Sequence, residues 1–104
     1  MAFDGNEGKL IDNEIAGNWT RAYREANPEG LQGHFFGRKV LESLLAQPDC
    51  KGIRFYYGLE NGSQQLLAVG ADHDQNDIMP GKCNVADESK GCPPECSTPN
   101  VLNS

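Results

Sequence analysis

The sequence lacks the long apolar run and the concentrated positive charge that mark two large classes of protein. No stretch approaches the ~20 consecutive apolar residues that a transmembrane helix needs. The nine Lys and Arg residues are scattered among 15 Asp and Glu residues, and the formal net charge is −6. Because a chain of this charge repels phosphate backbones, we expect no nucleic-acid partner. Because no apolar run is long enough, we expect no membrane span.

The first residues also lack the basic and apolar segments of a secretory signal peptide. They read MAFDGNEGKLIDNE, which is neither basic at its start nor apolar afterwards. We therefore expect a cytoplasmic protein, with export by a leaderless route as the alternative. In the cytoplasm its cysteines would be kept reduced.

Catalytic motifs are missing as well. The two histidines, His34 and His73, have no Ser, Cys or carboxylate at a spacing that pairs a nucleophile with its base. The segment GHFFGR, residues 33–38, has two glycines and Arg38 that could face an anion, but it does not match the phosphate-loop pattern. We expect a protein that is not an enzyme, and a small enzyme remains the third class of function considered.

The four cysteines are Cys50, Cys83, Cys92 and Cys96. Four thiolates can hold a tetrahedral zinc ion, and the last two cysteines have a permitted C-x3-C spacing. The intervening Pro-Pro predicts an extended segment that would separate them by ~12 Å at ~3.1 Å per residue. A tight turn with a cis bond would instead bring them together. Free thiols, a disulfide and zinc binding therefore all stay open, and we expect no cofactor unless it is zinc.

Hydrophobic periodicity and turn signals predict two helices. Asp12 is a suitable N-cap for a first helix from about Asn13 to Ala26, which Asn27-Pro28 ends. A second helix is predicted to begin near Gly37 and to stop before Pro48. Its apolar stripe consists of Val40, Leu41, Leu44 and Leu45.

A β-hairpin is predicted to follow the second helix. Ile53, Phe55 and Tyr57 alternate with Arg54 and Tyr56, which predicts a strand with the first three residues on its buried face. An Asn-Gly turn at residues 61 and 62 leads to a return strand over residues 65–71 that is apolar on both faces and therefore more buried.

These elements predict one α+β domain over residues 1–104. An extended lead-in over residues 1–11 precedes a helix-helix-hairpin core over residues 12–79. Its sheet is expected to have two strands or three, with the third beginning near residues 77–79. Two helices are expected to pack on one face of the small antiparallel sheet. Residues 80–104 are expected to form an irregular tail rich in Cys and Pro.

Segments along nearly the whole chain also share a family pattern. They are MAFDGNEG, WTRAYR, HFFGRKVLESLLAQPDCKGIRFYYGL, LLAVGADHDQNDI, CPPEC and LNS. In these segments the sequence resembles a family of small uncharacterised bacterial proteins of about this length, of the Bacteroidota type. The resemblance implies a self-contained unit. It implies no activity, cofactor or site residue.

We expect a non-enzymatic interaction or self-assembly protein. A small sheet has unpaired edges that can accept a strand from a second copy of the chain or from another protein. The expected binding surface consists of His34, Arg38, Arg54 and Tyr56. The alternative is a zinc-binding or redox-responsive module that uses the cysteines.

Overall fold

Across residues 2–104, which the computed structural model describes, the chain forms two helices and two small antiparallel sheets, and this confirms the α+β class. Met1, part of the predicted lead-in, lies outside the described residues. The elements are α1 (Asn13–Ala26), β1 (Gly33–Phe35), α2 (Arg38–Leu45), β2 (Cys50–Glu60), β3 (Ser63–Asp72) and β4 (Lys90–Cys92). Strand β2 pairs with β3, and β1 pairs with β4.

The chain divides into two compact units. The first contains residues 2–7 and 36–89, and the second contains residues 8–35 and 90–104. The sequence predicted that both helices share one sheet, whereas α2 belongs to the first unit with β2 and β3, and α1 belongs to the second with β1 and β4. The assignment of residues 1–104 to one domain stays a prediction.

The first unit is built on the predicted hairpin. Glu60 lies opposite Ser63, and the two turn residues between them both have positive φ, 52° at Asn61 and 84° at Gly62. A two-residue turn of this kind matches the twist of the strands that it joins. The strands are longer than predicted because the pairing continues up to the turn.

Helix α2 covers part of one face of this hairpin. Leu44 is buried against Ala68 and Ala86, and Phe36, Val40 and Ile53 pack around them. The helix approaches β3 closely at Gly70, where a Cβ atom would lie 3.3 Å from the carbonyl oxygen of Leu44. Absence of a side chain at this position lets helix and strand pack closely.

The outer edge of β3 is covered by the chain that follows it. Ala68 and Ala86 exchange two backbone hydrogen bonds, with N···O distances of 3.1 and 2.7 Å, and the N–H of Ile78 donates to Gly70 at 2.8 Å. Residues 68–71 are buried, which agrees with the prediction for this strand. Of the two alternatives for this sheet, the two-stranded one is present, because Asp77 forms only an isolated bridge with Ala71.

In the second unit, α1 has the predicted bounds and is capped by Asp12, whose carboxylate accepts from the N–H of Glu14 at 2.7 Å. The C-terminal residues pack along this helix. Gly17 is buried against Val101, and Arg24 donates to the carbonyl oxygens of Leu102 and Ser104. The end of the segment that was expected to be irregular thus packs on α1.

The second unit also contains a short sheet that the sequence did not predict. Strand β4 lies within the segment expected to be irregular and pairs with β1 so that Phe35 faces Lys90 and Gly33 faces Cys92. Three-residue strands carry too little alternation to be recognised from sequence. Neither helix within residues 2–104 has the length and apolar character that crossing a bilayer requires.

Candidate functional site

The four residues predicted to form a binding surface lie in different places. Arg54 and Tyr56 lie on β2 and meet at one carboxylate. Arg38 begins α2, is exposed and forms a 3.6 Å ion pair with Glu42 one helical turn away. His34 lies on β1 in the second unit. The structure therefore joins two of the four residues.

Arg54 and Tyr56 converge on Asp77. The guanidinium of Arg54 donates to one carboxylate oxygen, and the hydroxyl of Tyr56 donates to the other at 2.6 Å. Arg54 also donates to the carbonyl oxygen of Gln75 at 3.2 Å and lies over the ring of Phe3 at 5.6 Å from its centroid. This group of side chains fastens the turn after β3 to the face of β2.

These contacts change the acidity of the two donors. The hydrogen bond from Arg54 to Asp77 raises the pKa of the Arg54 guanidinium. The hydrogen bond from Tyr56 to the same carboxylate, together with partial burial, raises the pKa of the Tyr56 phenol above 10.0. Both oxygens of Asp77 are engaged, so the group is better suited to hold the hairpin in place than to bind a ligand.

A cavity of about 370 Å³ lies beside this group in the first unit and is lined by Phe3, Gly5, Glu7, Lys51 and Arg54 among others. Its cations already have partners. Lys51 lies 3.6 Å from Asp49, and Arg54 binds Asp77. Among the described residues that line this cavity, each cation therefore already has one carboxylate partner.

The last two cysteines are joined in a disulfide. The Cα atoms of Cys92 and Cys96 are 4.8 Å apart, in a turn with two cis X-Pro bonds. The extended segment predicted for Pro-Pro is wrong, and the tight turn considered as its alternative is present. The disulfide and His34 line a cavity of about 420 Å³ in the second unit.

The other two cysteines have free thiols. Cys50 donates to the carbonyl oxygen of Gly52 at 3.2 Å, and Cys83 is exposed. In the described part of the chain, no three His, Cys, Asp or Glu side chains are grouped as metal ligands. Zinc binding by Cys50, Cys83, Cys92 and Cys96 stays a prediction, and it would require reduction of the disulfide.

The more informative feature is the outer edge of β2. Ala68 directs both of its backbone bonds to Ala86, away from β2. Its neighbour across the hairpin, Phe55, is therefore in a non-hydrogen-bonded pair and directs its own N–H and C=O away from β3. The two-residue period of the ladder places Tyr57 and Leu59 in the same orientation.

This edge has no partner in the residues described. Within residues 2–104, β2 pairs with β3 alone, and no backbone hydrogen bond reaches residues 55–59 from any other segment. The side chains are exposed too, at 83% for Tyr57 and 78% for Leu59, while Phe55 is 47% exposed and contacts Phe36 with ring centroids 6.1 Å apart. Unpaired main-chain groups and apolar side chains thus occur along the same stretch.

The exposure of Tyr57 corrects the sequence prediction, which placed this residue on the buried face. Helix α2 has eight residues and is about 12 Å long, whereas the 11 residues of β2 extend about 36 Å. The helix can cover only part of the strand, and Leu44, at its buried position, packs beside Ala68. The alternation correctly predicted which face of β2 packs against α2. Tyr57 and Leu59 stay uncovered because the helix is short.

No protein-family model, curated protein or solved structure matches this chain.

Proposed function

We propose that this protein is a non-enzymatic interaction protein that binds an extended segment along the outer edge of β2. The observation that carries the proposal is the coincidence, at Phe55, Tyr57 and Leu59, of unpaired main-chain groups with exposed apolar side chains. Such an edge can accept a further strand, with main-chain hydrogen bonds for affinity and side-chain contacts for specificity.

The distribution of protective features along β2 supports this function. Natural proteins protect sheet edges with bulges, Lys, Pro or a covering segment. In β2 such features are confined to the start, where the register shifts between Cys50 and Gly52 and where a Cβ on Gly5 would lie 3.3 Å from the carbonyl oxygen of Lys51. Residues 55–59, FYYGL, contain neither Lys nor Pro. The unprotected part of the edge is also its most apolar part.

A synthetic peptide with the sequence of residues 54–60, RFYYGLE, provides a strand probe for this edge. In protein dilute enough to be monomeric, we expect its addition to shift the backbone amide resonances of Phe55, Tyr57 and Leu59 and to slow their exchange with solvent. The amides of Arg54 and Tyr56 already face β3 and should exchange at the same rate with and without peptide.

Two substitutions at one position separate main-chain pairing from side-chain contact. Tyr57→Pro removes an outward N–H without breaking the bonds between β2 and β3, since proline is tolerated where the N–H faces away from the sheet. Tyr57→Val keeps that N–H and is the matched control. We expect the proline variant to lose peptide binding and the valine variant to keep it, more weakly. Equal binding by both variants would contradict strand addition.

One observation favours a second candidate, a redox-responsive module. The Cys92–Cys96 disulfide ends β4, and Cys96 is exposed to a reductant. A formed disulfide fits an oxidising compartment better than the cytoplasm that the sequence predicts. Titration of thiols before and after treatment with a dithiol should give two additional thiols, reversibly, and elemental analysis of the reduced protein would detect zinc. An unchanged thiol count would eliminate this candidate.

A further inference from the structure

We propose that the segment added to β2 is the β2 strand of a second copy of the chain, paired antiparallel about a two-fold axis at Tyr57. This inference rests on the proposed strand-binding function and names its partner. A two-fold interface brings the same surface of each copy together, and an exposed strand edge is well suited to it because antiparallel pairing of identical strands is self-complementary.

The orientation of the main chain restricts the register of this pairing. Only residues whose N–H and C=O point outward can exchange bonds, and on the open part of β2 these are Phe55, Tyr57 and Leu59. With the axis at Tyr57, this residue faces its own equivalent, and Phe55 of each copy faces Leu59 of the other. Each of these three pairs exchanges two main-chain hydrogen bonds.

The charges at the ends of the pairing also fit this register. It places Glu60 of each copy opposite Arg54 of the other, on the same face of the sheet. The Arg54 guanidinium already binds Asp77 and Gln75, and its five N–H donors leave capacity for a second carboxylate. Both copies carry a net charge of −6, so an opposite-charge contact at each end offsets part of their mutual repulsion.

The neighbouring two-fold register fits less well. Moving the axis one position toward the start of β2 would place Glu60 opposite Gly52. Glycine has no charged side chain, so this register lacks the contact between Glu60 and Arg54. It would also bring the turn residue Asn61 opposite Lys51, whose carbonyl oxygen lies beside Gly5. The axis at Tyr57 therefore gives the longest pairing that leaves the covered start of the strand untouched.

The experiment uses opposite charges at the residue on the axis. In full-length Tyr57→Lys or Tyr57→Asp, each homodimer would place two like charges directly opposite each other, which disfavours pairing. An equimolar mixture would place Lys opposite Asp. We expect each variant alone to be monomeric in analytical ultracentrifugation, at protein concentrations where the unmodified chain dimerises, and the mixture to regain the dimer. Tyr57 is 83% exposed, so neither change should disturb the fold, which circular dichroism can verify.

Matched controls test the position and the end contact. Tyr23→Lys and Tyr23→Asp introduce the same charges on α1 and should leave the dimer unchanged. Glu60→Arg places like charges opposite each other at both ends of the pairing and should weaken the dimer about tenfold or more. Glu29→Arg changes the net charge by the same amount and should leave the dissociation constant of the dimer unchanged.

The outcomes distinguish this inference from the proposed function. A monomeric unmodified chain that still binds the RFYYGLE peptide would overturn the second copy as partner and leave strand addition in place. A dimer that persists in Tyr57→Pro would overturn the second copy as the partner of β2, whereas peptide binding that persists in Tyr57→Pro would overturn strand addition itself. A dimer that Tyr57→Lys and Tyr57→Asp fail to disrupt would overturn the register.

Discussion

At the scale of single residues, Asp77 holds two side chains of β2 with one carboxylate. Its oxygens accept from the guanidinium of Arg54 and from the hydroxyl of Tyr56. The sequence predicted that Arg54 and Tyr56 share a strand face, because both are even-numbered positions of an alternating segment. It could not predict that Asp77 lies against them, because that contact depends on how the turn after β3 folds back.

The Tyr56 hydroxyl gives a prediction about alkaline pH. Its pKa is raised above 10.0, so the fold favours the neutral phenol. The resulting stabilisation is complete below the pKa of the unfolded chain and is lost as the pH rises through the higher pKa of the folded chain. In a variant with Tyr23 and Tyr57 replaced by Phe, we expect tyrosinate absorbance to appear at higher pH in the folded protein than in the same protein unfolded by denaturant.

Asp77→Asn in the same background is the matched comparison. It removes the charge that favours the protonated phenol, so the titration of Tyr56 should move to lower pH. Coincident titration curves for the two proteins would show that the charge of Asp77 does not control the pKa of the Tyr56 phenol.

Two glycines of the hairpin should respond differently to a single methyl group. A Cβ on Gly70 would lie 2.7 Å from Nε2 of Gln47 and 3.3 Å from the carbonyl oxygen of Leu44. We expect Gly70→Ala to lower the free energy of unfolding by about 1–3 kcal/mol, because it forces α2 away from β3. Denaturant unfolding followed by circular dichroism measures this change.

Gly58→Ala is the control in the partner strand. The new methyl would meet Leu67 at an ordinary distance of 3.5 Å, and alanine loses less chain entropy on folding than glycine does. Its free energy of unfolding should equal or exceed that of the unmodified chain. Equal destabilisation by the two substitutions would contradict a close helix–strand approach at Gly70.

At the scale of elements, prediction succeeded where the signal is local. Asp12 and the Asn27-Pro28 pair determine the ends of α1, and the Asn61-Gly62 turn determines the hairpin. Strands β1 and β4 were missed because their pairing joins segments more than 50 residues apart, as the register of Phe35 with Lys90 shows. The outer edge of β2 lies between these cases. Its strand could be predicted from the alternation, but the length of β2 that α2 leaves uncovered could not.

Helix α1 contains a glycine whose role appears only in the fold. Gly17 lowers the helix propensity, yet a Cβ there would lie 2.6 Å from the carbonyl oxygen of Val101. We expect Gly17→Ala to strengthen the isolated helix and to displace the C-terminal residues from it. Hydrogen exchange should then accelerate at Asn103 and Ser104, whose N–H groups donate to Asn100.

Gly30→Ala provides the control for this change. It lies in the same unit, and its new methyl would be no closer than 3.6 Å to its neighbours. Exchange at Asn103 and Ser104 should be unaffected by it. Unchanged exchange in Gly17→Ala would contradict the proposed role of Gly17.

At the scale of the whole molecule, the stability of the two units can be followed separately. The disulfide and the only tryptophan, Trp19, both belong to the second unit. Opening a disulfide that closes so short a loop should lower the stability of that unit by about 2 kcal/mol. We expect a dithiol to lower the denaturant midpoint seen by Trp19 fluorescence.

Exchange of the buried amides of Ala68 and Val69 reports the first unit under the same conditions. It should change less than the Trp19 signal, because the disulfide restrains only residues of the second unit. An equal response of both signals would show that the stability of the first unit also depends on the disulfide.

The pairing of β1 with β4 has one more consequence. Because Phe35 lies opposite Lys90, residues 36–89 leave and re-enter the second unit at adjacent points on neighbouring strands, about 5 Å apart. Residues 36–89 thus interrupt the second unit at the place where a hairpin turn would otherwise join β1 to β4. Their length could change while β1 and β4 keep their register, provided that the contacts of residues 2–7, such as the bond from the N–H of Phe3 to His73, are kept.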